Sequence, residues 1–201
     1  IYLDNASTSF PKPEVMLPAI SNYLQNFAVS PGRGAYRLAE QAENIVDETR
    51  QMLADLLGVK NKKYMVICSN ATHALNIVIR GGLLAGDHVL VCDYSHNSAL
   101  RPLESLARTG VITYDVFHID ENGDVNIEDF ESKIKPNTKM LVLNHASNVI
   151  GVKATVSLMT AICKKHNILC LLDVPQSIIY ENINVNELNV DFVAGSGHKS
   201  V

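Results

Sequence analysis

The feature that most constrains this chain is an alternation of short apolar runs with segments of helical spacing. The runs lie at residues 64–68 (YMVIC), 88–92 (HVLVC), 111–117 (VITYDVF), 139–143 (KMLVL), 168–173 (ILCLLD) and 191–195 (DFVAG). They are short, rich in Val, Ile and Leu, and bounded by polar or glycine positions, as buried strands of a parallel sheet are. Helical candidates occupy 13–27, 35–57, 72–80, 99–108, 127–134 and 155–166. Pro13 suits a first helical turn. Leu38, Ala42, Ile45, Val46, Leu53, Leu56 and Leu57 keep near-helical spacing. Gly58 follows where a C-terminal cap belongs, and Asn122-Gly123 marks a turn. Strands alternating with helices predict an α/β fold: a mostly parallel sheet flanked by helices in three layers, α/β/α.

Composition sets the size and the partners. The 201 residues, 47% hydrophobic and 19% charged, suffice for one well-buried domain with at most a small appendage. A net charge of −4 asks for neither nucleic acid nor an anionic membrane. No apolar run is long enough to span a bilayer and no basic-then-apolar leader is visible, so a cytoplasmic protein is expected. Cys68, Cys92, Cys163 and Cys170 form no CxxC pair, so no metal site is expected. Three of them fall in or beside apolar runs and read as buried, reduced side chains. The chain opens at Ile1 inside a strand-and-turn pattern and closes at Val201 directly after a motif, and is expected to be part of a longer protein.

In parallel sheets, ligands bind beyond the carboxyl ends of the strands, so the residues after each run are the candidates. Ser69-Asn70-Ala71-Thr72-His73 leads into a helix, whose start presents free backbone N–H groups and partial positive charge suited to a phosphate. The same residues also serve as ordinary helix caps. His96 follows the second run within Asp93-Tyr94-Ser95-His96-Asn97-Ser98. Asn144-His145-Ala146-Ser147-Asn148 follows the fourth and is also a composition that builds turns. Asp173 ends a buried run, where a carboxylate must find a partner, either a cap, an ion pair or a cationic ligand atom. Lys199 closes Ser196-Gly197-His198-Lys199, unlike lysines in polar runs such as Lys60-Asn61-Lys62-Lys63. A buried lysine can form a Schiff base with a carbonyl cofactor. A phosphate cradle, a His, an Asn, an Asp and a Lys at successive strand ends are what pyridoxal 5′-phosphate (PLP) needs: donors for its phosphate, a carboxylate for its ring nitrogen, and an amine for its aldehyde. A Rossmann-type nucleotide module would need a GxGxxG turn after an early strand, and none is present.

Several motifs resemble the class V aminotransferase family of fold-type I PLP enzymes, within it the cysteine desulfurase and selenocysteine lyase branch. Tyr2-Leu3-Asp4-Asn5-Ala6-Ser7-Thr8 is close to the family's YLDNAAT opening, and Pro31-Gly32-Arg33-Gly34-Ala35-Tyr36 is similar to its RGxH segment. Ala71-Thr72-His73-Ala74-Leu75-Asn76 resembles (A/T)TEAxN, and the stretch from Asn144 through Asn148 to Gly151 resembles SHVSNxxG. Asp173-Val174-Pro175-Gln176 resembles DxAQ, and Ser196-Gly197-His198-Lys199 matches SGHK. The resemblance implies the large PLP-binding domain over 13–201, preceded by an arm of the small-domain and substrate region over 1–12. It implies that Lys199 holds PLP as a Schiff base and shuttles protons, and that Asp173 pairs with the pyridine nitrogen. Gln176 and Asn148 would lie near the ring oxygen and His96 would stack on the ring. Ala71, Thr72, Ser196 and His198 would hold the phosphate. Ala6 and Ser7 would line the substrate side, and Arg33 would lie near a homodimer interface. The implied catalytic set is Lys199, His96 and Asp173. The implied reaction removes sulfur or selenium from cysteine or selenocysteine to leave alanine, with an amino-acid substrate and a sulfur-acceptor protein as partners. A class V aminotransferase acting on another amino acid, or a cofactor-binding piece without complete activity, are the alternatives. His73 stands where the family has Glu, Pro175 where it has a small Ala, Tyr36 where it has His and Ser7 where it has Ala. The family's persulfide-forming Cys and substrate-carboxylate Arg belong to a C-terminal region beyond this chain.

Overall fold

The computed structural model describes residues 1–199. Five strands, β1 (His88–Cys92), β2 (Thr113–Phe117), β3 (Thr138–Asn144), β4 (Leu169–Asp173) and β5 (Phe192–Ala194), form one sheet in the order β2-β1-β3-β4-β5. Every pairing is parallel. Six helices accompany them: α1 (Met16–Asn26), α2 (Arg37–Leu56), α3 (Ala71–Gly82), α4 (Asn97–Arg108), α5 (Ile127–Ser132) and α6 (Val156–Lys165).

The strands are continuous apolar runs because both faces of the sheet are covered. Leu90, Cys92, Leu141, Leu143, Cys170 and Leu172 point to one core, shared with Phe130, Met159 and Ile162. The intervening Val89, Val91, Met140, Val142 and Leu171 point to the other, shared with Leu75 and Ile79 of α3 and Leu103 of α4. The period-2 alternation of a strand thus divides one run between two apolar layers. Caps fix where three helices begin: Asn70 Oδ1 accepts from His73 N–H (2.9 Å), His96 Nδ1 from Ser98 N–H (3.1 Å) and Asn126 Oδ1 from Asp129 N–H (3.0 Å). Gly123 has φ +89°, and a Cβ there would lie 1.8 Å from the Lys153 carbonyl oxygen, so only glycine serves this turn.

Two expectations are corrected. Residues 64–68 join no ladder among the described residues. Tyr64 ends a 3₁₀ turn at Lys62–Tyr64, Met65 follows it in extended conformation, and Tyr64, Val66 and Ile67 are exposed. Their composition favours a strand, but a strand exists only by pairing, which composition does not report. The run at 111–117 is paired from Thr113 onward but is not buried throughout. β2 is an edge strand, with Thr113 and Val116 exposed.

Candidate active site

The parallel register brings three strand ends abreast: Asn144 pairs with Asp173, and Asp173 with Ala194. Beyond this edge lies a cavity of about 300 Å³, at the lower end of the roughly 300–1,000 Å³ usual for small-ligand sites. Its walls include every residue expected to hold a cofactor: Ala71, Thr72, His96, Asn148, Asp173, Gln176, Ser196, His198 and Lys199. Asn70, Ser98, Asn144 and Ala146 join them without having been singled out for a role, as does Pro175. Asn144 had a signal in the sequence as the first polar residue after the apolar run 139–143; that it stands level with Asp173 is set by the register of β3 and β4.

Asp173 is only 4% exposed, and its Oδ1 has no hydrogen-bond partner among the described residues. Burial raises its pKa to about 7, opposed by the nearby Lys199 charge. A buried carboxylate oxygen left unpaired beside a cavity costs stability and fits a ligand that brings a cationic N–H. Lys199 is half-buried at the end of the 3₁₀ turn Gly197–Lys199 that follows β5. The pKa of His96 is lowered by burial, then by the charges of Lys199 and Arg101. His96 Nδ1 lies 2.7 Å from Ser98 Oγ and accepts from the Ser98 amide at 3.1 Å, which fixes the orientation of the ring at the start of α4. Ala71 and Thr72 open α3 into the cavity, and the first amides of a helix have no intrahelical acceptor.

The loops that carry these groups are tied together. His145, buried between Asn144 and the rest of its motif, meets Ser177 Oγ through Nδ1 at 2.8 Å, and its amide donates to Asp173 O at 3.0 Å. That joins the loop bearing Asn148 to the loop bearing Gln176. Gln176 Nε2 donates to Ala6 O (2.9 Å), which commits one of its two amide hydrogens. Ala6 and Ser7 do not line the cavity; Ser7 Oγ donates to Asp4 Oδ1 within the arm. His73 and Arg33 are exposed and also lie outside its walls. None of the four cysteines lines it; Cys92, Cys163 and Cys170 are buried, and burial pushes the Cys92 thiol up to about 11. Among the described residues, no cluster of His, Cys, Asp or Glu is arranged to hold a metal ion, and no helix is long and apolar enough to cross a membrane.

Fold and cavity define a three-layer α/β protein with a polar-lined cavity at the carboxyl edge of a parallel sheet. More particularly, the chain belongs to the aminotransferase class-V family, whose model matches residues 1–201. The cysteine desulfurase IscS of Actinobacillus succinogenes is 32% identical over 207 residues, covering 99% of this chain and 50% of the relative. The apo cysteine desulfurase of Thermococcus onnurineus NA1 superposes with a TM-score of 0.91 at 30% identity, covering 100% of this chain and 50% of that one. SspA in complex with cysteine shares the fold at a TM-score of 0.89 and 24% identity, covering 98% of this chain and 57% of its own. The chain spans about half the length of the curated relatives it matches.

Proposed function

We propose that this chain is the cofactor-binding part of a PLP-dependent cysteine desulfurase, a cytoplasmic homodimer that works on cysteine or selenocysteine and hands the chalcogen to an acceptor protein. The observation that carries the reading is the cavity where Lys199 and the unpaired Asp173 Oδ1 meet the opening of α3. The relatives' names supply the reaction. Residues 13–201 act as the large domain, and residues 1–12 as an arm toward the substrate side.

The residues present fit the cofactor. When bound, PLP supplies an aldehyde for an amine and a protonated ring that withdraws electrons from the alpha carbon of an attached amino acid. Asp173 would pair with the ring nitrogen, which would remove the cost of its orphaned oxygen. His96 would pack against the ring. The α3 amides at Ala71 and Thr72, with Ser196 and His198, would hold the phosphate. Gln176, with its remaining hydrogen-bonding capacity, and Asn148 would serve the ring oxygen. Lys199 would hold the cofactor through its amine and, once freed by substrate, would take and return the proton at the substrate alpha carbon. Sulfur transfer also needs a thiolate nucleophile. Buried Cys92, Cys163 and Cys170 are unsuited to that task and Cys68 does not line the cavity, so the nucleophile comes from outside the described residues.

The test is product analysis on the full-length protein supplied with PLP and cysteine. With an excess of a dithiol reductant to release the persulfide sulfur as sulfide, alanine and sulfide in equal amounts are expected. Accumulation of pyridoxamine phosphate without sulfide would instead make it an aminotransferase.

A further inference from the structure

The densest hydrogen bonding near the cavity ties its wall to a segment outside it. It lies between the chain's first residues and the His198 carbonyl, immediately before Lys199. Four donors converge on that oxygen: Thr8 Oγ1 (2.9 Å), Lys12 Nζ (3.0 Å), Ser9 Oγ (3.1 Å) and the Ser9 amide (3.2 Å). The Lys12 ammonium also donates to Thr8 Oγ1 (2.9 Å) and Ser9 Oγ (3.2 Å). An ammonium has three hydrogens, and each has an acceptor here. Lys12 makes no ion pair with a carboxylate among the described residues, so its charge is spent on neutral oxygens, in bonds stronger than neutral ones.

Holding that one oxygen has a geometric consequence. The peptide unit is planar, so His198 O, Lys199 N and Lys199 Cα share a plane. Fixing the oxygen holds that plane and so the position of Lys199 Cα, from which the side chain starts, leaving rotation about the N–Cα bond as the remaining backbone freedom. The arm doing this is organised in its own right. Tyr2 Oη donates to Asp4 O and Thr8 O, the Phe10 amide donates to Asn5 Oδ1, and the Tyr2 and Phe10 rings meet edge-on at 5.5 Å. Through Ala6 O it also holds Gln176.

We infer that Lys12 is a positioning residue: it locks the His198 carbonyl to the N-terminal arm and thereby aims Lys199 into the cofactor cavity. This rests on Lys199 being the cofactor lysine, as proposed above. The alternative role is a plain tether whose loss loosens the fold as a whole.

Lys12→Met and Lys12→Arg separate the two in the full-length protein. Without added PLP, hydrogen–deuterium exchange of the segment 195–199 and of the Ser9 amide should quicken on the order of tenfold in Lys12→Met, the scale of one charge-assisted hydrogen bond. Exchange in β1 and β3 should not change. With PLP, its dissociation constant should rise on the order of tenfold, and Lys12→Arg should restore both quantities. If Lys12→Met does not fold, Thr8→Val, which removes one donor to the same carbonyl, should show the same pattern more weakly. Equal loosening of β1 and β3, or wild-type exchange and PLP affinity, would overturn the inference. Absence of PLP binding in wild type would refute the cofactor reading alone, since the exchange measurement tests the strap without it.

Discussion

Asp173 concentrates most of the chemistry in one side chain. In the sequence it was visible as an acid ending an apolar strand, and the cost of burying it was the reason to look for a partner. What the sequence could not report is that none of the described residues supplies one for Oδ1. The consequence is measurable without cofactor. The unfolded carboxyl titrates near 3.8 and the folded one near 7. Well below 3.8 it is protonated in both states and costs nothing. As pH rises from 3.8 towards 7 the unfolded state gives up its proton while the folded state keeps it, stability is lost across that window, and above 7 the loss is complete. A difference of about 3 pH units at about 1.4 kcal/mol each gives up to about 4 kcal/mol. Asp173→Asn should therefore be more stable than wild type at pH 8 in urea denaturation without PLP, with the difference shrinking to near zero by about pH 3. An equal difference at both pH values would contradict this. Gln176 and Ala6 show a different limit: both were legible as motif residues, but their bond to each other joins positions far apart in sequence that no local pattern relates.

At the scale of elements, five of the six apolar runs are strands and all six helical segments are helices, because periodicity and capping are local physics. The exception, 64–68, shows where local reading stops: an extended apolar segment becomes a strand only beside a neighbour. Gly123 shows the reverse case. Asn122-Gly123 announced a turn, and the structure adds that the turn runs against the Lys153 carbonyl. Gly123→Ala must place a methyl group where that oxygen stands, at a φ that L-residues avoid. A loss of about 2–3 kcal/mol is expected from the backbone strain and the clash together, read as a lower urea midpoint with an unchanged slope. An unchanged midpoint would mean that the loop yields freely and that the contact is not part of the folded state's stability.

For the whole molecule, the fold class and the location of the cavity followed from strand–helix alternation and the rule that ligands sit at strand carboxyl ends. The motifs then converged on one place because the parallel register sets Asn144, Asp173 and Ala194 side by side. The role of the N-terminal arm was far less legible. Its bonds to the His198 carbonyl span 186 to 190 residues of chain, and nothing in the spacing of Thr8, Ser9 or Lys12 foretells them. The central claim is that this arrangement exists to hold PLP on Lys199. Its most direct test is an absorbance spectrum of the full-length protein with added PLP, before and after borohydride, with Lys199→Ala alongside and peptide mapping of the reduced product. The account predicts a yellow band that borohydride abolishes, with the cofactor fixed covalently to Lys199, and no such band in the variant. A band that persists in Lys199→Ala, label on another lysine, or no band in wild type would contradict it.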